Sequence, residues 1–342
     1  MSAQDLRPIH ISSPALPILA TVVLWASAFP SIRAALEGFS PAGLAALSFA
    51  VAAGILLLIQ AIVGGVRPRV SDLPRILASG ALGIAAYNIA LNMGELTVSA
   101  GAASFLVNTA PIFTALLATL LLGEQIGWRS WAGMAVGLAG VGLIARAEAG
   151  ASPLGWGAAL ILLAAALQAL YFVLMQPLIQ RYGPLQATSF AVFGGAAALL
   201  PWFPGAVIEA RHAPAGATLA VFYLAVFPAA LAYLIWSVAL QRLPAARAAA
   251  WLYLVPPVAT LIGMVWPGEI APLNSLLGGA IALAGVLLVQ LGNRSAPPAA
   301  ARAPLPSASA RSMLEGGNDG DCRQPETGRV LPPSSRSRLR HG

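Results

Sequence analysis

The sequence has no lysine, one cysteine, and charged residues at only 9% of its 342 positions. Each scarcity excludes something. Soluble domains carry roughly a quarter charged residues, so a chain that is 58% hydrophobic, with a mean hydropathy of +0.79, has too little polar surface to face water. Cys322 alone leaves no intrachain disulfide and no thiolate cage for a metal. The formal charge of +7 rests entirely on arginine, placed between apolar runs and in the stretch after residue 292. That is how charge is distributed in loops at a membrane surface, not on a nucleic-acid-binding face. No Asp, Lys or His falls in the middle of an apolar run, so the usual relay of a proton-driven pump is missing from the pattern. An intramembrane enzyme needs a nucleophile with its base, or a metal cluster. Neither is present, and no catalytic residue, metal ligand or cofactor is assigned.

A membrane-spanning helix takes about 20 mostly apolar residues. Arg, Glu, Pro and Gly divide the chain into ten such stretches, near 14–32, 41–63, 75–94, 98–122, 128–146, 155–178, 184–204, 216–240, 246–266 and 272–292. The expected fold class is therefore an all-α membrane protein. Residues 293–342 are rich in Ser, Pro, Ala and Arg and are expected to be a disordered tail, because they offer too little apolar surface to offset ordering. Ala26-Ser27-Ala28 after an apolar run resembles a signal-peptide cleavage site. The bulky Trp25 beside it favours retention. Short-loop arginines resist translocation. Alternate connections hold Arg7; Arg67, Arg69 and Arg75; Arg129; Arg181; Arg242 and Arg247; and Arg294, against Arg33, Arg146 and Arg211 on the other side. Both termini, 1–13 and 293–342, are thus expected in the cytoplasm of a bacterium, with the spans in its inner membrane.

Set against itself, the chain is duplicated. Ala86-Tyr87, Pro111, Thr114 and Gly123-Glu124 return as Ala232-Tyr233, Pro257, Thr260 and Gly268-Glu269. GMAVGLAGVGLI from Gly133 returns as GGAIALAGVLLV from Gly278, and SFAV at Ser48 returns at Ser189. Five spans fall in each copy, 14–146 and 155–292. An odd number of spans turns the second copy upside down, the inverted-repeat plan of many secondary transporters.

The run LAYLIWSVALQRLPAARAAAWLYLVPPVATLIGMVWPGE from Leu231 to Glu269, its first-half counterpart ending PIFTALLATLLLGE at Glu124, and Trp25, Phe29 and Ile32-Arg33 in the first span resemble the drug/metabolite transporter superfamily, EamA type. The resemblance covers residues 14–292. It implies a ten-helix exporter made of two repeats that moves amino acids or other metabolites. Ser48 departs from it, standing where many relatives carry arginine in the second helix.

Polar side chains in a spanning helix face protein or a watery cavity, since lipid offers them no partner. Ser27 and Ser31, Asn88 and Asn92, Ser104 and Asn108, and Tyr233 and Ser237 pair at the four-residue spacing of one helix face. With Trp25, Tyr87, Tyr171, Trp236, Trp251 and Tyr253 at comparable depth, they compose a candidate substrate-binding lining: Trp25, Tyr87, Asn88, Asn92, Ser104, Asn108, Tyr171, Tyr233, Trp236, Trp251 and Tyr253. Helix packing is the alternative use for each of them. Trp128, Trp131, Trp156, Trp202, Trp266 and Tyr182 fall near span ends and read as interfacial anchors. Glu95, Arg33, Glu124 and Glu269 also fall at span ends and read as interfacial structure. Pro111 and Pro257, duplicated, are the hinge candidates. Gly133 and Gly137, answered by Gly278 and Ala282, permit close helix contact within one chain, with a homodimer contact as the second use. Without mid-span charge, the expected solute is neutral or zwitterionic, such as an amino acid, exported by alternating access. A passive channel and, more remotely, an intramembrane enzyme are the alternatives. The bilayer and a small-molecule substrate are the expected partners, and nucleic acid is not.

Overall fold

The computed structural model describes residues 15–98, 100–148, 155–265 and 273–292, and every regular element among them is helical. The expectations for residues 1–13, Trp266, Gly268-Glu269 and 293–342 lie outside the described residues. Seven of the described helices are long and apolar enough to cross a membrane. In chain order, α1 (Ala15–Ala35), α2 (Pro41–Val63), α3 (Val70–Glu95) and α4 (Ala103–Leu122) are followed by α5 (Trp128–Glu148). Then come α6 (Trp156–Tyr182), α7 (Pro184–His212), α8 (Ala215–Arg242), α9 (245–265) and α10 (Leu273–Gly292).

α7 runs past the expected end at 204. Pro201 and Pro204 look like stops, yet each stands in the first turn of a new helical step, Leu200–Trp202 and Phe203–His212, where the missing N–H has no partner to lose. α2 begins on Ser40, whose hydroxyl accepts from the Gly43 N–H at 3.1 Å, with Pro41 in the first turn.

Helix contacts exchange between the two copies. α1 packs on α8 and α9 as α6 packs on α3 and α4; α2 meets α8 as α7 meets α3. The last helices of the two copies, α5 and α10, meet most extensively. Their contact is backbone against backbone: a Cβ on Gly285 would stand 2.4 Å from the Gly137 nitrogen, and one on Gly140 would stand 2.6 Å from the Gly278 carbonyl oxygen. Gly133, Gly137 and Gly278 are therefore used within one chain, with Gly285 and Ala282 completing the seam.

Two irregularities are also paired. α3 widens into a π-helix over Ala81–Ala86 and α8 over Ala225–Ala232, each immediately before a repeat-mate tyrosine, Tyr87 and Tyr233. α4 breaks at Asn108-Thr109, ahead of Pro111 at the start of Ala110–Leu117. α9 tightens into a 3₁₀ turn over Ala250–Leu254, just ahead of Pro256 and Pro257.

Candidate solute site between the two halves

Trp25, on α1, stands at the centre of an aromatic cluster drawn from both copies. Its ring lies 6.1 Å from Phe172 in a stack, 5.6 Å from Tyr233 edge-on and 5.3 Å from Trp236. Phe49 and Tyr171 close on Tyr233 at 5.9 and 5.4 Å. The Trp25 indole N–H reaches the Pro228 carbonyl at 3.4 Å, inside the π stretch of α8.

Two adjoining chambers, of about 400 and 490 Å³ counting the space that opens to solvent, are both lined by Trp25. They share Trp25, Ala28, Ile32, Tyr87 and Leu91 as a common wall. The smaller chamber adds Phe29, Asn108 and Gln168; the larger adds Ser48, Asn88, Asn92 and Tyr233. Among the described lining residues none carries a formal charge. Gln168 Nε2 donates to the Tyr87 hydroxyl at 3.4 Å, joining α6 to α3 across the repeats. Asn88 donates to the Ile84 carbonyl at 2.8 Å and Asn92 to the Pro41 carbonyl at 3.0 Å. The Asn108 amide donates to the Ser104 carbonyl across the break in α4, and its oxygen has no hydrogen-bond partner among the described residues.

Of the eleven residues expected to line the site, Trp25, Tyr87, Asn88, Asn92, Asn108 and Tyr233 are at the chambers. The others are elsewhere. Trp236 is fully buried behind Trp25. Tyr171 packs its ring over Gly83 and Tyr253 packs over Gly137, each tyrosine filling the space a side chain on that glycine would take. The Ser104 hydroxyl turns back to the Gly101 carbonyl at 2.7 Å, and Trp251 lies half-buried beside the core. Sequence reasoning passed over Gln168, although it is the only strongly polar side chain between Trp156 and Tyr171, and that isolation was the available signal. Ser48, noted only as a departure, lines the larger chamber.

Ties between the copies concentrate at the arginine-rich end. The Glu124 carboxylate accepts from the Ala245 N–H at 2.9 Å and the Ala246 N–H at 3.4 Å, at the start of α9. Burial holds Glu124 above the usual carboxylate range, and these two donors pull it partly back. Asp72 accepts from Arg181 at 2.7 Å and from the Tyr182 hydroxyl. Within the second copy, at the same end, Gln176 and Gln180 donate to the Leu243 and Gln241 carbonyls. The chambers, by contrast, reach toward Ile32, Leu44 and Asn92, near the arginine-poor end. There the Ser40 N–H donates to Glu209 at 3.1 Å. Glu124→Ala is expected to lower stability in detergent by about 2 kcal/mol, since it leaves two buried N–H groups unpaired, and Glu124→Gln by less. Unfolding midpoints of the three proteins check this; equal midpoints would remove the tie.

Both copies match the profile of the EamA-like transporter family, at residues 13–146 and 155–291. The chain belongs to that family. Among its relatives is a protein of Streptantibioticus cattleyicolor named "Probable terminal-alkyne amino-acid exporter", 41% identical over 84% of this chain and 97% of its own. The uncharacterized transporter YdfC of Bacillus subtilis is 40% identical over 78% of this chain and 88% of its own. The uncharacterized inner membrane transporter YedA of Escherichia coli K12 is 28% identical, over 84% and 94%. A solved crystal structure shares the fold, with a TM-score of 0.66 at 20% identity, over 82% of this chain and 97% of that one. This EamA chain is a multi-pass membrane transporter and not an enzyme.

Proposed function

We propose that this EamA transporter exports small zwitterionic solutes, amino acids with apolar side chains, across a bacterial inner membrane by alternating access between its two halves. The observation that carries this reading is the lining of the chambers: aromatic rings, amides and a hydroxyl, with no formal charge. A sugar phosphate calls for buried Arg or Lys, and a lipophilic cation is best held by a membrane-embedded carboxylate. A zwitterion needs an apolar wall for its side chain and dipoles for its two ends. Aromatic and aliphatic residues supply the first, and Asn88, Asn92, Asn108 and Gln168 the second. The relative named for terminal-alkyne amino acids points the same way in solute class and direction. Pro111 and Pro257, each directly after an irregular turn, are the hinges of this reading, and the arginine-rich end faces the cytoplasm.

Counterflow in proteoliposomes tests it. Radiolabelled propargylglycine and leucine are expected to enter saturably, faster when unlabelled solute waits inside, while tetraphenylphosphonium and glucose 6-phosphate do not. Flux that neither saturates nor responds to solute on the far side would replace the carrier with a channel.

A further inference from the structure

Glu95, read from its position at the end of α3 as interfacial structure, is sealed inside the protein. It is 1% exposed, and neither carboxylate oxygen has a hydrogen-bond partner among the described residues. The last turn of α3 is covered because Gly94 lets α6 approach closely: a Cβ there would stand 2.8 Å from the Gly157 carbonyl oxygen and 2.4 Å from Ile161. A charged carboxylate without donors is expensive in such a place, whereas a neutral one is tolerated.

The surroundings are specific. Arg33 on α1 is the neighbouring charge, but it spends its hydrogen bonds on backbone, donating to the carbonyls of Glu95 at 3.1 Å and Val98 at 3.2 Å. α2 and α4, which also pack on this part of α3, contain no titratable side chain, and α6 has none before Tyr171. On α3 itself, Asn88, Asn92 and Glu95 fall on one face at the spacings of successive turns, so the carboxyl stands one turn beyond the larger chamber on its polar stripe. Tyr87, at the shared wall, is the nearest other titratable group on that helix.

We propose that Glu95 is the coupling site for a proton: it holds one proton while sealed, as here, and loses it when movement of the last turn of α3 admits water, so that solute moves against proton flow. The chemistry is one carboxylate oxygen gaining and losing one proton, taken from and returned to water. Arg33, beside it and unpaired with it, stabilises the ionised form when water arrives, which makes the step reversible.

Two measurements decide this, and only the second rests on the transport reading above. Infrared difference spectra of purified protein at neutral pH, wild type against Glu95→Gln, are expected to contain the carbonyl stretch of a neutral carboxylic acid that the variant lacks. Proteoliposomes with an imposed pH gradient come second, with propargylglycine as the probe. The wild type is expected to concentrate it about tenfold per pH unit, the ratio that one proton per solute supports. Glu95→Gln, nearly isosteric, is expected to keep counterflow and lose concentration. Glu95→Asp should retain part of both. A spectrum without that band, or a Glu95→Gln protein that still concentrates solute, overturns the proposal. Wild-type counterflow indifferent to the gradient overturns it while leaving amino-acid transport standing. No counterflow at all would sink the transport reading, and the infrared band would still decide the protonation of Glu95.

Discussion

Gly285→Leu is expected to leave little folded protein. A Cβ at this position would stand 2.4 Å from the Gly137 nitrogen, 2.5 Å from its Cα and 2.7 Å from the Gly133 carbonyl oxygen. These are main-chain atoms and cannot turn aside as a side-chain tip can. Overpacking a core costs about 1–3 kcal/mol where neighbours can shift; where two helix backbones must separate, the cost exceeds that and consumes much of a typical margin of about 5–15 kcal/mol. Gly54→Leu on α2 is the control, since nothing lies within 4 Å of its Cβ. Fluorescence-detected size exclusion should give a collapsed or aggregated Gly285→Leu peak and a normal Gly54→Leu peak. Equal peaks would mean that α5 and α10 do not meet backbone to backbone.

Trp25→Ala is expected to have the largest effect on solute affinity. This ring belongs to the wall shared by both chambers and is the hub on which Phe172, Tyr233 and Trp236 converge. Removing it takes away an apolar surface and loosens three others, for about 1–1.5 kcal/mol of binding, or roughly a five- to tenfold rise in apparent Km. Trp128, 75% exposed at the start of α5, provides the contrast. Trp128→Ala should lower yield in the membrane and leave Km unchanged when flux is normalised to folded protein. A Km shift of the same size in both variants would place the solute site on another surface.

The helices were legible because lipid imposes one requirement on every span, a long apolar run, and arginine and proline mark where each run stops. The duplication was legible because Tyr87 and Tyr233, and Pro111 and Pro257, recur at a nearly constant offset within otherwise uninformative Ala and Leu. Which face of a span meets protein was much less so, since a helix that is apolar all round gives no direction. Tyr233 and Tyr253 illustrate this: both are tyrosines in apolar helices of the second copy. Tyr233 reaches a chamber, while Tyr253 is absorbed by the gap at Gly137, on a helix more than a hundred residues earlier in the chain. The burial of Glu95 was hidden for the same reason. A helix end is open to its surroundings only if no neighbour extends past it, and the cover over its last turn comes from Gly157 and Ile161 on α6.

The π turns before Tyr87 and Tyr233 make the site depend on a count. A π turn holds more residues than an α turn of the same helix. If Ala81–Ala86 relaxed into ordinary α-helix with every residue kept, each surplus residue would swing all that follows by about 100° around the axis, one residue's share of a turn. Tyr87, Asn88, Asn92 and Glu95 would turn away together, and beyond Ala225–Ala232 Tyr233 would leave its chamber while Trp236 lost its place against Trp25. What aims both tyrosines is thus the number of residues in the preceding turn more than their identity. Gly83 must stay small, because Tyr171 fills the space beside it, and gaining or losing a single residue in either stretch changes which way half a helix points.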